Sequence, residues 1–246
     1  MGSPWCSLRA ERTTLRALAE DLETHHGATS RIIAADLGTD AGVARVVEET
    51  EALDVGLFAA SAGFGTSGAF LSSPIAEELA MLDVNCRAVL ALTHAFARRF
   101  VARRRGGIVL MSSIVAFQGV PFAAGYAATK AWVQSLAEAL HVELRPHGVD
   151  VIASAPGPVH SGFAARARME MGLALRPVDV AQRTLDALGR SMTVRPGWLS
   201  KLLEAALKVP RWARVRIMKR VMGGMTRHQV GMTTIAPKGA FEGSRG

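Results

Sequence analysis

A tyrosine and a lysine stand four residues apart near the middle of the chain. Tyr126 is the only tyrosine in 246 residues, and Lys130 is one of five lysines against 24 arginines. The i,i+4 spacing places both side chains on the same face of a helix. A phenol has a pKa of about 10 and shuttles protons poorly at neutral pH, unless neighbouring positive charge stabilises the phenolate. The pair could therefore act as a general acid or base. An isolated Tyr-x-x-x-Lys more often lies on a helix surface without a catalytic role.

Two polar residues upstream strengthen this interpretation. Ser113 follows the apolar run 108–112 and precedes Tyr126 by thirteen residues, while Asn85 is the only asparagine in the chain. Open α/β sheets bind their ligands outside the carboxyl ends of the strands, which is where Ser113 falls. Each residue also has an ordinary structural interpretation, since a serine can simply end a strand and an asparagine can bridge backbone groups.

Apolar runs alternate with helical patterns along the chain, which is typical of a parallel sheet covered by helices on both faces. The predicted strands are residues 31–35, 55–60, 108–112, 149–154 and 192–194. The predicted helices are residues 13–25, 41–52, 74–104, 124–145 and 179–189. In the third of these, Ser73 is expected to cap the helix and Pro74 to be its first residue. We expect a single domain over residues 1–246.

Several motifs in one register resemble the short-chain dehydrogenase/reductase family over roughly residues 30–200. They are Ser113, Tyr126-Ala-Ala-Thr-Lys130, Asn85 within Leu82-Asp-Val-Asn85, and Pro156-Gly157-Pro158-Val159. The family's Asn-Asn-Ala-Gly strand end is matched in part by Ala60-Ser61-Ala62-Gly63. The resemblance implies a Rossmann-like, doubly wound parallel sheet in three α/β/α layers.

The resemblance also implies a role for each matched residue. Tyr126 would be the general acid or base, Ser113 would bind the substrate oxygen, and Lys130 would lower the pKa of Tyr126 and bind the nicotinamide ribose. Asn85 would hold a water that relays protons to Lys130. The implied cofactor-binding residues are Arg9, Asp36, Leu37, Ala62, Gly63, Tyr126, Lys130, Pro156, Gly157, Val159 and Ser161. The arginines at positions 9 and 12 favour NADP, and NAD is the alternative.

The N-terminus departs from the family pattern. The family begins with a strand, a glycine-rich turn and a helix whose N-terminus receives the pyrophosphate, and we expect a truncated fold without that first strand and helix. Trp5–Leu8 would then have to pair with the strand at 55–60, because an open central edge invites aggregation. Gly63-Phe-Gly65-Thr-Ser-Gly68 matches GxGxxG. We interpret it as a loop beside the cofactor, with a phosphate-binding fingerprint as the alternative.

Composition limits the class of protein. Cys6 and Cys86 lie far apart in sequence and outside any CxxC motif, which predicts no disulfide framework, no metal site and a reducing, cytoplasmic location. We expect no segment to approach the roughly 20 apolar residues that cross a bilayer.

The net charge is +8, and residues 201–246 alone carry ten basic and two acidic residues. We interpret residues 198–228 as a basic amphipathic helical extension and 229–246 as a tail without regular structure.

The basic extension has two interpretations. Its apolar side chains could close the core or a substrate pocket, which we favour, or residues 198–222 could make a peripheral contact with an anionic membrane surface. Basic residues that alternate with leucine, valine and tryptophan suit a phosphate groove poorly, so we expect no nucleic-acid partner.

Two functions are consistent with these features. The favoured one is an NADP-linked oxidoreductase acting on an apolar carbonyl or secondary alcohol, with the C-terminal helices as a lid over the pocket. That pocket is expected to be lined by Val115, Phe117, Phe122 and Phe163. The alternative is a truncated, catalytically silent protein that acts as a binding partner through helices at 86–104 and 124–145. The family resemblance implies a homodimer or homotetramer.

Overall fold

Four parallel strands form one sheet in the computed structural model, which describes residues 12–170, 174–197 and 209–226. The strands are β1 (Leu57–Ala60), β2 (Gly106–Met111), β3 (Val149–Ser154) and β4 (Thr193–Val194), hydrogen-bonded in that order. The register pairs Ala59 with Val109 and Val109 with Ile152. Four of the five predicted strands are confirmed, and the parallel sheet with its flanking helices is Rossmann-like.

The helices occur in the order that the sequence predicts, although the first two both precede β1. In the described ranges they are α1 (Arg12–His26), α2 (Asp40–Glu49), α3 (Ile75–Leu82), α4 (Val89–Ala102), α5 (Ala124–Leu144), α6 (Phe163–Arg166), α7 (Pro177–Ala187) and α8 (Arg211–Met225). A π-helical turn, Asp83–Ala88, joins α3 to α4. Short 3-10 helices occur at Phe70–Ser72, Ile114–Phe117 and Arg145–His147.

The sheet separates two apolar layers because successive side chains of a strand point to opposite faces. In β2, Ile108 and Leu110 are fully buried in the core beneath α2, α4 and α5. Val109 and Met111 point to the other face, where side chains of α7 line a cavity with them. Phe100 of α4 is also fully buried in the first layer. Truncating a phenylalanine buried in this way costs about 3–5 kcal/mol, so this layer holds the strand ends firmly in place.

A second apolar cluster lies next to the carboxyl ends of the strands. It joins α3, α5 and α8 through Met81, Ala127, Met218 and Met222, all of them buried. Tyr126 belongs to the same cluster. The side chains that could do chemistry therefore stand on packed helices rather than on exposed loops.

The predicted strand at residues 31–35 is wrong, because residues 27–36 form no regular structure. A strand needs a neighbour that satisfies its backbone groups, and no strand of the described residues pairs with the outer edge of β1. Leu57 of that edge strand is 41% exposed. Arg9, the predicted strand Trp5–Leu8, residues 198–208 of the basic extension and the tail at 229–246 lie outside the described residues.

The long helix Ile75–Ala102 differs from the prediction in two ways. Pro74 precedes the helix instead of beginning it, and no side chain caps the helix start. The Ser73 hydroxyl instead donates to the Glu78 carboxylate at 2.8 Å, and hydrogen bonds to carboxylates are stronger than those to neutral groups.

By length and composition alone the helix Ile75–Ala102 could also cross a membrane, contrary to the prediction that no segment would. It packs against the sheet with Phe100 fully buried, as is typical of a core helix.

Candidate active site

The carboxyl end of β2 presents two serines. Ser112 continues the strand pairing, since its N–H donates to the Ser154 carbonyl at 2.8 Å. Ser113 leaves the strand and begins the 3-10 helix Ile114–Phe117, where its Oγ accepts from the Val115 N–H at 3.3 Å. Ser113 is 9% exposed. The turn therefore holds its hydroxyl in place at the end of the sheet.

Tyr126 reaches the same place from the first turn of α5. It is 8% exposed, and its ring centroid lies 5.1 Å from that of Phe163. Burial raises the pKa of Tyr126 to about 12, and a hydrogen bond with the Ser113 hydroxyl offsets only part of that rise. The lowering of the Tyr126 pKa that is expected from Lys130 in the presence of the nicotinamide cofactor stays a prediction, because burial and the Ser113 hydrogen bond are the causes of this shift. The phenol is protonated at neutral pH.

Lys130 lies one helical turn beyond Tyr126 and is 7% exposed. Its Nζ donates to the Met111 carbonyl at 2.7 Å and lies 5.9 Å from the centroid of the Tyr126 ring. Burial lowers the pKa of Lys130 to about 8. An ammonium has three N–H donors, and among the described residues only the Met111 carbonyl accepts one, which leaves donors for the oxygens of a ligand.

Asn85 lies in the π-helical turn and is 1% exposed. Its Oδ1 accepts from the Phe64 N–H at 3.1 Å, and its Nδ2 donates to the Phe64 carbonyl at 2.8 Å and to Thr129 Oγ1 at 3.1 Å. Turns of this kind insert a residue into a helix and are frequent at functional sites. Asn85 thus ties the loop after β1 to α5, while its expected role in a water relay stays a prediction.

One cavity of about 1020 Å³ brings the candidate catalytic residues together. Ser113, Tyr126 and Lys130 line it, whereas Asn85 stands behind Gly63. Most of the remaining wall is apolar. It comes from the sheet through Leu57, Ala59, Val109 and Met111, from α7 through Val180, Ala181 and Leu185, and from α8 through Ile217, Met218, Val221, Met222 and Met225. Pockets for drug-sized ligands span about 300–1,000 Å³, so this one accommodates a bulky molecule.

Ten of the eleven predicted cofactor-binding residues lie in the described part of the chain, and they divide into two groups. Those that line the cavity are Gly63, Tyr126, Lys130, Pro156, Gly157, Val159 and Ser161. Asp36, Leu37 and Ala62 do not line it. Asp36 Oδ1 accepts the Gly38 N–H at 2.9 Å in a turn, and Leu37 packs against the core. The cavity therefore gives no support to a cofactor contact at these three positions.

The prediction of the pocket lining is half correct. Val115 and Phe163 line the cavity, but Phe117 and Phe122 do not. The Arg195 guanidinium covers the Phe117 ring at 4.4 Å, and Phe122 packs against the apolar cluster beside the cavity. Neither ring contributes to the cavity wall.

The wall near Gly63 brings the backbone close to Lys130, whose remaining N–H donors could bind the ribose hydroxyls of a nicotinamide cofactor. An added Cβ at Gly63 would lie 2.9 Å from Asn85 Oδ1 and 3.5 Å from Lys130 Nζ, so only glycine lets the backbone approach these polar groups. The glycines at 63–68 do not open a helix, because α3 begins at Ile75. This argues against a phosphate-binding fingerprint, and the interpretation of residues 63–68 as a loop beside the cofactor stays a prediction.

Sequence reasoning missed several residues that shape the site. Thr129 holds Asn85 through its hydroxyl, and it could have been noticed because it lies between Tyr126 and Lys130. Gly65 lies beneath the aromatic pair, since an added Cβ would stand 2.8 Å from Phe163 Cζ. The methionines of α8 had no distinguishing signal, because thioethers at helical spacing are common in any core.

A family model described as short chain dehydrogenase matches residues 4–172, which is more than half of the chain. The chain belongs to the short-chain dehydrogenase family. This short-chain dehydrogenase is 26% identical over 200 residues to a 7beta-hydroxysteroid dehydrogenase from Collinsella aerofaciens, covering 76% of this chain and 74% of the relative. It is also 26% identical over 227 residues to a very-long-chain 3-oxoacyl-CoA reductase from Phaeosphaeria nodorum, covering 87% of this chain and 66% of the relative.

Solved structures share the fold. A short-chain dehydrogenase from Sphingobium yanoikuyae in complex with NADPH matches with a TM-score of 0.74 and 25% identity, over 94% of this chain and 86% of that one. A 7beta-hydroxysteroid dehydrogenase structure matches with a TM-score of 0.77 and 24% identity, over 85% and 84% of the two chains. These matches, with the family model, make the short-chain dehydrogenase an oxidoreductase of Rossmann-like fold.

Proposed function

We propose that this short-chain dehydrogenase interconverts a carbonyl and a secondary alcohol on a bulky apolar substrate. NADP(H) is the hydride carrier and Tyr126 the general acid or base. One observation carries the proposal: Ser113, Tyr126 and Lys130 converge on one wall of a largely apolar cavity of about 1020 Å³. A small polar centre in an apolar cavity suits chemistry at a single oxygen of a hydrophobic molecule.

Proton transfer belongs to Tyr126. With a pKa of about 12, the phenol is protonated at neutral pH and can donate to a carbonyl oxygen that the Ser113 hydroxyl also binds. The reverse reaction needs the phenolate to accept the alcohol proton, and that form is scarce until the pH is strongly alkaline. The rate of the oxidation should therefore rise with pH. The bound nicotinamide cofactor supplies the hydride.

Lys130 adjusts the charge around Tyr126. Its ammonium, 5.9 Å from the ring centroid, stabilises the phenolate and offers donors to ribose hydroxyls. Because burial lowers the pKa of Lys130 to about 8, that charge is lost as the pH rises through the mildly alkaline range. Both the stabilisation of the phenolate and the binding of the ribose should then weaken.

NADP(H) is the favoured cofactor. Gly63, Pro156, Gly157, Val159 and Ser161 would hold the nicotinamide end beside Lys130, since all of them line the same cavity. Support comes from related structures. The Sphingobium yanoikuyae protein is in complex with NADPH, and a protein from Beutenbergia cavernae, 27% identical, has NADP bound at low occupancy. NAD is the alternative cofactor.

A rigid steroid or a long acyl chain is the substrate class that best suits the cavity. The two curated relatives are named for a 7beta-hydroxysteroid and for a very-long-chain 3-oxoacyl-CoA. Met169, Met218 and Met222 contribute to the wall, and flexible thioether side chains adapt to ligands of different shapes. We therefore expect activity on bulky ketones and little on small aldehydes, which leave much of the cavity unfilled.

A homodimer or homotetramer is the favoured assembly. α4 and α5 expose Leu90, Trp132 and Val142 at 48%, 37% and 63% of their surface. A second copy of the chain could cover the apolar side chains exposed on these two helices. Light scattering should give a mass of two or four chains, reduced by Trp132→Arg. A monomer at all protein concentrations would contradict the proposal.

A catalytically silent binding partner is the second candidate. It is favoured by the unpaired outer edge of β1 among the described residues. Titrating NADPH against the purified protein, followed by nicotinamide fluorescence, separates the two functions. Saturable binding with turnover that Tyr126→Phe removes supports the dehydrogenase, and no binding at millimolar NADPH overturns it.

A further inference from the structure

α8 has a basic face without acidic partners in the described part of the chain. Its charged residues are Arg211, Arg214, Arg216, Lys219 and Arg220. At 3.6 residues per turn, Arg216, Lys219 and Arg220 lie on the same side of the helix as Trp212. All four are exposed. None of the ion pairs among the described residues involves α8.

Trp212 stands in the middle of this basic face. It is 63% exposed, and the Arg216 guanidinium lies 5.0 Å from its ring centroid. Tryptophan is enriched at membrane–water interfaces, where its amphipathic ring sits at the level of the lipid headgroups. A basic helix with an exposed tryptophan therefore has the composition of an interfacial helix.

Other sides of α8 face the cavity. Met218 and Met222 are 7% and 4% exposed and close the cavity wall. Ile217 and Val221 also line the cavity, yet they are 46% and 48% exposed. These two apolar side chains thus lie at the rim, between the cavity and the basic face. α8 therefore has one side that closes the cavity and another, basic side that is exposed.

We propose that α8 docks on an anionic lipid surface through Trp212, Arg216, Lys219 and Arg220, and that the cavity rim at Ile217 and Val221 then opens toward the lipid. Anionic headgroups complement a face that carries only positive charge, and each basic residue near such a surface contributes roughly a fivefold gain in binding. Docking stands independently of the proposed function. The delivery of an apolar substrate from the lipid into the cavity rests on the proposed function.

Vesicle flotation with the full chain tests the docking. The chain should float with vesicles of phosphatidylcholine and phosphatidylserine, but not with phosphatidylcholine alone. The variant Arg216→Glu, Lys219→Glu, Arg220→Glu should bind the mixed vesicles at least roughly 100-fold more weakly, because three attractions are lost and three repulsions gained. Trp212→Ala should weaken binding less, and high salt should weaken binding of the wild type.

A matched control separates a docking face from net charge. Arg16→Glu, Arg98→Glu and Arg190→Glu together make the same change of charge at exposed positions on α1, α4 and the turn after α7. This control should float like the wild type. Equal loss in both triple variants, no binding to the mixed vesicles, or α8-dependent binding of duplex DNA in place of vesicles would overturn the proposal.

A kinetic measurement separates docking from catalysis. Trp212, Arg216, Lys219 and Arg220 do not line the cavity, so the charge-reversed variant should reduce a water-soluble ketone at the wild-type rate. It should be slower only on a ketone presented in mixed vesicles. If neither protein turns over while flotation still depends on α8, the docking proposal stands and the proposed function fails.

Discussion

The ionisation of Tyr126 can be measured directly because the chain has no other tyrosine. Burial raises its pKa from 10.0 to about 12 in the folded protein. A shift of about two pKa units corresponds to roughly 3 kcal/mol of preference for the protonated phenol. Around pH 10 the unfolded chain should be about half ionised and the native chain only about one per cent.

The assay follows phenolate absorbance in the near ultraviolet during an alkaline titration, with Tyr126→Phe as the blank. Native protein should show no phenolate until well above the midpoint that the same chain gives in urea. Ser113→Ala should move the native midpoint higher, because the hydrogen bond that it removes lowers the pKa. A native midpoint at or below the midpoint in urea would refute the burial argument.

The same shift predicts how stability depends on pH. Between about pH 10 and 12 the unfolded phenol releases its proton before the native one does, so stability is lost as the pH rises through that window. The free energy of unfolding in urea should fall by up to about 3 kcal/mol more for the wild type than for Tyr126→Phe. Equal pH profiles for the two proteins would contradict this expectation.

Three further predictions concern the cofactor wall and the core. The affinity for NADPH should fall as the pH rises through about 8, where the buried Lys130 loses its charge, and Lys130→Met should flatten that dependence in fluorescence titrations. Gly63→Ala should weaken NADPH binding without unfolding the protein, because the added Cβ would lie 2.9 Å from Asn85 Oδ1; unchanged affinity would mean that this wall does not hold the cofactor. Phe100→Ala should destabilise the fold by about 3–5 kcal/mol in urea unfolding and leave the kcat of the folded fraction unchanged, because Phe100 is fully buried and does not line the cavity.

The parts of the fold that depend on local pattern were predictable from the sequence. β3 occurs at residues 149–154 as predicted, because a short apolar run follows Gly148, whose φ of 75° is the left-handed conformation that glycine adopts easily. α5 begins at Ala124 as predicted, and its i,i+4 spacing places Tyr126 and Lys130 on one face. Ser113 was placed correctly because strand ends in a parallel sheet share one edge.

The parts that depend on distant partners were not predictable. Residues 31–35 carry a strand pattern, but a strand forms only where another strand satisfies its backbone. The pKa of Tyr126 follows from burial by Phe163 and the apolar cluster around it, which no local pattern indicates. Phe117 was expected to line the pocket, yet Arg195 covers its ring.

The central claim is that Tyr126 transfers the proton in an NADPH-dependent reduction, and one paired measurement tests it. NADPH oxidation is followed with a bulky apolar ketone for the wild type and Tyr126→Phe, together with the NADPH dissociation constant of each. We predict that Tyr126→Phe lowers kcat by about 10²–10⁴-fold. It should change the dissociation constant by less than about tenfold, the equivalent of one hydrogen bond. Wild-type turnover by Tyr126→Phe would contradict the account.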